Sequence, residues 1–258
     1  MSDHIVRPRK LAPRYPYSVT GEMATDETTP YLDPWVLVGA LARVTKRLRF
    51  MSYVYVPALR DPFSVAKSIA TAAIISDDRI LMGIGVGWME EEFDLVERAY
   101  ANRGPRTDEL VEVVRKLVGG GMVEHHGEFY DFPAVQMAPA PRRCPPVLVG
   151  GHSPVALRRA AASDGWLGVH YDVEAVRPIL DTLAGLRREA GREQLPFDAA
   201  IAFNAPPRPE DLERLEAAGV TMVVNPPLLR PDGARSSLGE KRDRLEAYAA
   251  RYISVDYG

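Results

Sequence analysis

Apolar and polar positions alternate along this chain with two periods. From residue 33 onward, stretches with the 3.6-residue spacing of an amphipathic helix follow short β-branched, aromatic or aliphatic runs. Asp33-Pro34 reads as an N-cap and a first-turn proline, with Leu37, Leu41, Val44 and Leu48 then falling at helical spacing. Arg49–Pro57 is rich in aromatic and β-branched residues and reads as a strand. Asp61-Pro62 opens a helix with Val65, Ile69 and Ala73 on one face. Arg79–Gly87 reads as a buried strand ending in glycines and residues 88–104 as a loop. Arg106–Val118 reads as a helix turning Leu110, Val113, Val114 and Leu117 inward. Strand Pro146–Gly151 and a helix capped by Ser153-Pro154 come next, then strand Trp166–His170 and helix Val173–Ala190. Strand Phe197–Asn204, helix Pro209–Ala218, strand Val220–Asn225 and helix Leu238–Tyr252 complete the pattern.

Strands that read as continuous apolar runs and alternate with helices imply a parallel sheet covered on both faces. Six such units fit a doubly wound sheet or a closed (β/α)8 barrel and do not choose between them. Two stretches interrupt the alternation. Met1–Leu32 is rich in Pro, Arg and Tyr and reads as irregular. Gly119–Pro145 reads as an insertion holding a short hairpin, MVEHH then GEFYDF, that turns at His126-Gly127.

Composition narrows the class. With 258 residues, 46% apolar and 26% charged, the chain is a folded globular protein. An α/β barrel of about 250 residues is one domain, so residues 1–258 are expected to form one. A single cysteine, Cys144, excludes an internal disulfide and a cysteine-built zinc site, and fits a reducing cytoplasm. A net charge of −3 without a basic run argues against a nucleic-acid partner. Apolar runs such as Ile69–Ile75 fall far short of the roughly 20 residues of a membrane span, and Met1–Lys10 lacks the apolar stretch of a secretory signal.

Candidate chemistry sits at strand ends. Gly83-Ile84-Gly85-Val86-Gly87-Trp88 has GxGxG rather than dinucleotide-binding GxGxxG spacing. Its glycines admit close approach of a flat ring or another backbone segment, or simply a tight strand exit. At Gly150-Gly151-His152-Ser153, backbone N–H groups, a helix dipole and a hydroxyl converge, as a phosphate site or as ordinary capping with a flexible turn. His4 alone reads as a surface residue. His125 and His126 alternate sides of a strand and make a poor metal pair, so no metal site is expected. Glu90-Glu91-Glu92 reads as a solvated loop or helix start, and Glu109 as a helix-dipole partner.

SDHIV (2–6), PYLDPWVLVGALARVTKRLRF (30–50), VPALRDPFSVAKSIAT (56–71), GIGVGWMEEEF (83–93), RGPRTDELVEVVRKLV (103–118), HGEFYDF (126–132) and PPVLVGGHSPVALRRAAASDGW (145–166) occur in this order. In order and spacing the chain resembles the luciferase-like monooxygenase superfamily, and within it the deazaflavin (coenzyme F420)-dependent oxidoreductases. The resemblance implies a (β/α)8 barrel with an insertion before the fifth strand, where residues 119–145 fall. In that family an Asp-His pair ends the second strand. Here it is residues 3 and 4, so the barrel is expected to lack its first strand, first helix and most of its second strand.

The resemblance also implies roles. His4 matches a proton donor or acceptor beside the reactive ring carbon, a task suited to an imidazole titrating near ~6.5. Met51, Ser52 and Tyr53 match a bulged third strand under the ring. Gly85, Val86 and Gly87 match the fourth-strand end along the ring and ribityl chain, and Gly150, Gly151, His152 and Ser153 match the phosphate site. Trp88 replaces the catalytic glutamate of sugar-phosphate dehydrogenases, which points to a planar or apolar substrate. The reaction implied is hydride transfer between coenzyme F420 and a small organic substrate. FMN-dependent monooxygenation is the alternative: there a basic side chain commonly holds the phosphate, which Val86 cannot do and Arg60 could. A non-catalytic paralogue is the other alternative, and a homodimer is compatible with either.

Overall fold

The computed structural model describes residues 1–9, 11, 15–16, 21, 28–224 and 236–252. In chain order these form α1 (Pro34–Val44), β1 (Phe50–Met51), α2 (Pro62–Ser76), β2 (Ile80–Ile84), α3 (Glu90–Leu95) and α4 (Arg103–Val118). Then come β3 (Met122–His126), β4 (Asp131–Gln136), β5 (Val147–Gly150), α5 (Pro154–Ala161), β6 (Gly165–Tyr171) and α6 (Arg177–Glu189). Strand β7 (Asp198–Phe203), helix α7 (Pro209–Ala217), strand β8 (Met222–Val224) and helix α8 (Leu238–Tyr252) close the series. Asn225, expected to end the last strand, lies outside the described residues, as do most positions from 10 to 27.

Six strands pair in parallel in the order β1-β2-β5-β6-β7-β8. A doubly wound sheet reverses its strand order at a switch point. This order follows the chain, so the sheet curls in the manner of a (β/α) barrel, and the described strands form an arc of it. Alternation along each strand separates two apolar layers. Leu81, Leu148, Leu167 and Ala200 point inward and pack with Met51, Val54, Met222 and Val224. Ile80, Met82, Val147, Val149, Trp166, Ala199 and Ile201 belong to the outer core shared with the helices.

Four local expectations change. The ladder in the Arg49–Pro57 segment is confined to Phe50–Met51, with one bridge from Tyr55 to Ile84. Between them the backbone leaves the sheet, and the Tyr53–Val54 peptide is cis. Helix α1 buries Trp35, Val38 and Ala42, whereas Val44 and Leu48 are 79% and 54% exposed. The helix is apolar on more than one side, and it packs through the stripe that sets Trp35 against Tyr55, ring centroids 5.4 Å apart. Residues 88–104 contain α3 and the start of α4 rather than a loop. Val173–Ala190 divides into a 3-10 turn, Val173–Ala175, and α6, with Pro178 in the first turn of α6, where its missing N–H costs nothing.

The insertion holds a hairpin as expected, β3 paired antiparallel with β4, but residues 127–130 form its turn and the second strand is Asp131–Gln136 rather than GEFYDF. Glu109 holds its turn rather than balancing a helix dipole, because α4 begins at Arg103 and Glu109 lies beyond its first turn. Its carboxylate accepts the backbone N–H groups of Glu128, Phe129 and Tyr130 at 2.8–3.1 Å, and His125 Nε2 lies 3.2 Å away. Any side chain at Gly127 meets this carboxylate, since a Cβ there runs into Glu109 Oε1. Burial alone raises the Glu109 pKa, but the N–H groups and His125 outweigh it and hold it below the ordinary value of 4.5. A depressed carboxyl pKa adds stability above the unfolded value and loses it as pH falls through the folded one. Urea melts from pH 5 downward are therefore expected to show an acid-dependent loss of stability beginning near pH 4.5 that Glu109→Gln reduces. Identical acid limbs in the two proteins contradict this role.

Candidate active site

Beyond the carboxyl ends of β1 and β2, the first six residues lie pinned across the sheet edge. The Met1 amino group donates to Met51 O at 3.1 Å, and Tyr53 N–H donates to Met1 O at 2.5 Å. Asp3 is buried and takes Arg60 in a two-pronged pair, Oδ1 to Nη2 and Oδ2 to Nη1, both 2.8 Å. Oδ2 also accepts Val56 N–H at 3.0 Å. Burial disfavours the Arg60 charge, but the hydrogen bond to Asp3 and the negative charge of Asp3 leave its pKa above the ordinary value.

His4 follows directly. Its Nδ1 lies 2.8 Å from Glu92 Oε2, and Glu92 Oε1 accepts the Ile5 N–H at 2.8 Å. Side-chain exposure is 12% for His4 and 4% for Glu92. Glu92 is thus no solvated residue: α3 turns the third member of the acidic run inward while Glu90 stays exposed. Sequence reasoning missed it because its partner lies 88 positions earlier in the chain. Tyr31 meets the His4 ring edge-on at 4.8 Å and Trp88 at 6.3 Å, so aromatic rings wall the imidazole. His4 Nε2 makes no hydrogen bond to any described residue.

The remaining expected residues divide. Ser52 is fully buried and donates to Gly83 O at 2.9 Å, so its hydroxyl serves the sheet. Tyr53 reaches across the arc and donates to Gly168 O on β6 at 2.6 Å. Gly85 and Gly150 make room for Val54: a Cβ at either meets its methyl groups, at 2.6 and 3.0 Å. On this side the space that Gly85 and Gly150 leave is therefore filled by the protein's own bulged segment. Val86 is half-buried, and Gly87 O accepts Arg103 Nε at 3.0 Å.

At the β5 end, Ser153 caps α5, accepting Ala156 N–H at 3.2 Å. Ser153 is exposed, and its hydroxyl hydrogen remains able to donate outward. Gly151, with φ of +130°, shapes the turn in a conformation L side chains rarely adopt. His152 Nδ1 lies 2.8 Å from Tyr171 Oη, the two rings stacked at 5.2 Å. Burial, and then His170, lower the His152 pKa, so it offers a neutral ring rather than a cation. A capped helix N-terminus carrying an exposed hydroxyl and a neutral histidine fits an anionic group without a dedicated basic side chain. This donor set fits the phosphate end of a deazaflavin or flavin.

A chain-ordered parallel β/α sheet with its polar groups gathered beyond the strand ends is the arrangement of barrel enzymes. The chain belongs to the luciferase-like monooxygenase family, whose profile matches residues 15–252. It is 36% identical over 256 residues to an uncharacterized protein of Mycobacterium tuberculosis, covering 98% of this chain and 88% of that one. It is 25% identical over 182 residues to the F420-dependent hydroxymycolic acid dehydrogenase of the same organism, covering 66% and 50% of the two chains. The fold is shared with the coenzyme F420-dependent tetrahydromethanopterin reductase of Methanopyrus kandleri, with a TM-score of 0.70, 17% identity, and coverage of 86% and 87%. Among the described residues, no helix is long and apolar enough to cross a membrane.

Proposed function

We propose that this protein is an oxidoreductase that moves a hydride between coenzyme F420 and a small organic substrate. The observation that carries the reading is His4, fixed beyond the strand ends with Nδ1 engaged and Nε2 open. When bound, the deazaflavin supplies the hydride chemistry. The chain supplies the rest. His152 and Ser153 hold the phosphate. Met51, Tyr53 and Val54, the last of them seated on Gly85 and Gly150, support the ring from the inner face of the arc. His4 exchanges a proton at Nε2, and Trp88 and Tyr31 exclude water around it.

F420 is favoured over FMN because both Nη atoms of Arg60 are occupied by Asp3, and Val86 is not basic. Fluorescence titration of the full chain with each cofactor tests this. F420 is expected to bind more tightly, and equal or reversed affinities favour the flavin reading instead. In the same assay Ser153→Ala is expected to weaken F420 binding by about 1–2 kcal/mol, through loss of one charge-assisted hydrogen bond and of the cap that shapes the turn. Unchanged affinity in a folded variant returns Ser153 to capping alone.

A further inference from the structure

We propose that Glu92 is a positioning residue that sets the tautomer of His4, holding the proton on Nδ1 and leaving a lone pair at Nε2. Glu92 Oε1 accepts Ile5 N–H at 2.8 Å and faces Val6 N–H at 3.4 Å. With Glu92 ionised, both of its oxygens are acceptors, and the hydrogen in the 2.8 Å Oε2 to Nδ1 contact is then the imidazole's. One carboxylate thereby does two jobs. It ties down the backbone after His4, and it dictates which ring nitrogen is bare. Trp88 and Tyr31 meet the ring edge-on and so fix its plane through packing, but neither can choose between the nitrogens. Glu92 can, because an ionised carboxylate has no hydrogen to give.

This form of His4 begins as a proton acceptor. An O–H or N–H bond of the substrate or of water breaks, an N–H bond forms at Nε2, and the resulting imidazolium charge lies beside the Glu92 carboxylate. The inference rests on the reading of His4 as the proton-exchanging group, but the tautomer itself is measurable without cofactor or substrate.

The conservative variant Glu92→Gln separates the two jobs. Its amide oxygen can still accept Ile5 N–H, while its NH2 group must donate to Nδ1, forcing the proton onto Nε2. The experiment is ¹⁵N-histidine NMR of the full chain at pH 8, with His4→Asn identifying the His4 signals. Wild type is expected to show a protonated Nδ1 and a bare Nε2, and Glu92→Gln the reverse. A bare Nδ1 in the wild type overturns the proposal, as does the wild-type pattern in a folded Glu92→Gln. Should Glu92→Gln fail to fold, the wild-type spectrum still decides. Loss of the His4 role shows differently: His4→Asn then turns over normally whatever the tautomer.

Discussion

Replacing His4 is expected to lower turnover by about 10²–10⁴-fold, the usual worth of a positioned general acid or base. Two variants make the measurement specific. His4→Ala leaves the buried Glu92 carboxylate without its partner and is expected to cost stability as well. His4→Asn keeps an N–H group where Nδ1 stands, preserves the contact with Glu92, and removes only the second ring nitrogen. Both variants are expected to lose turnover, and His4→Asn is expected to melt close to the wild type. Affinity for F420 is expected to change little, because the phosphate end of the site lies at β5 and Ser153. Turnover is followed through the deazaflavin absorbance, using the best substrate from a panel of alcohols and enones. Near-normal turnover in His4→Asn removes the histidine from the chemistry.

Asp3→Ala is expected to be the most destabilising of the site substitutions, at about 3–5 kcal/mol, the cost of breaking a buried ion pair from one side. Asp3 is 2% and Arg60 19% exposed in their side chains, and the pair makes two parallel contacts of 2.8 Å. Without Asp3 the guanidinium keeps its charge over the Tyr55 ring, 4.5 Å from its centroid, and Val56 N–H loses its acceptor. Arg60→Met in the Asp3→Ala background is expected to recover part of the loss, because an apolar stem suits that cavity better than an unpaired cation. Urea denaturation of the two variants and the wild type gives the comparison. A loss below about 1 kcal/mol places the pair with ordinary surface salt bridges.

The strands and helices were legible because their patterns are local: Val65, Ile69 and Ala73 mark the covered side of α2, and the unbroken apolar run Val147-Leu148-Val149 marks β5 as a strand covered on both faces. The capping of α1, α2 and α5 by Asp33, Asp61 and Ser153 was equally local. What escaped was set by distant contacts. Three consecutive glutamates look alike in the sequence, and only the return of the first six residues decides that Glu92 is buried. Glu109 looked like a dipole partner until the hairpin turn arrived to be held. The buried face of α1 could not be chosen from periodicity, because apolar residues occupy more than one side. Nothing near Arg60 in the sequence claims its guanidinium, and Asp3, 57 positions earlier, takes it.

The order of strands in the sheet also bears on how the chain assembles. Leu148 meets Gly165 after a single helix, and Ala200 likewise meets Met222. Gly83 must wait for Leu148 until α3, α4 and the whole hairpin have been made. Closing a longer loop costs more chain entropy before any contact rewards it. The seam between β2 and β5 is therefore the costliest closure among the sheet pairings. The strands from β5 onward form a run of short closures able to zip up on its own, leaving the half that carries His4 and Glu92 to dock last.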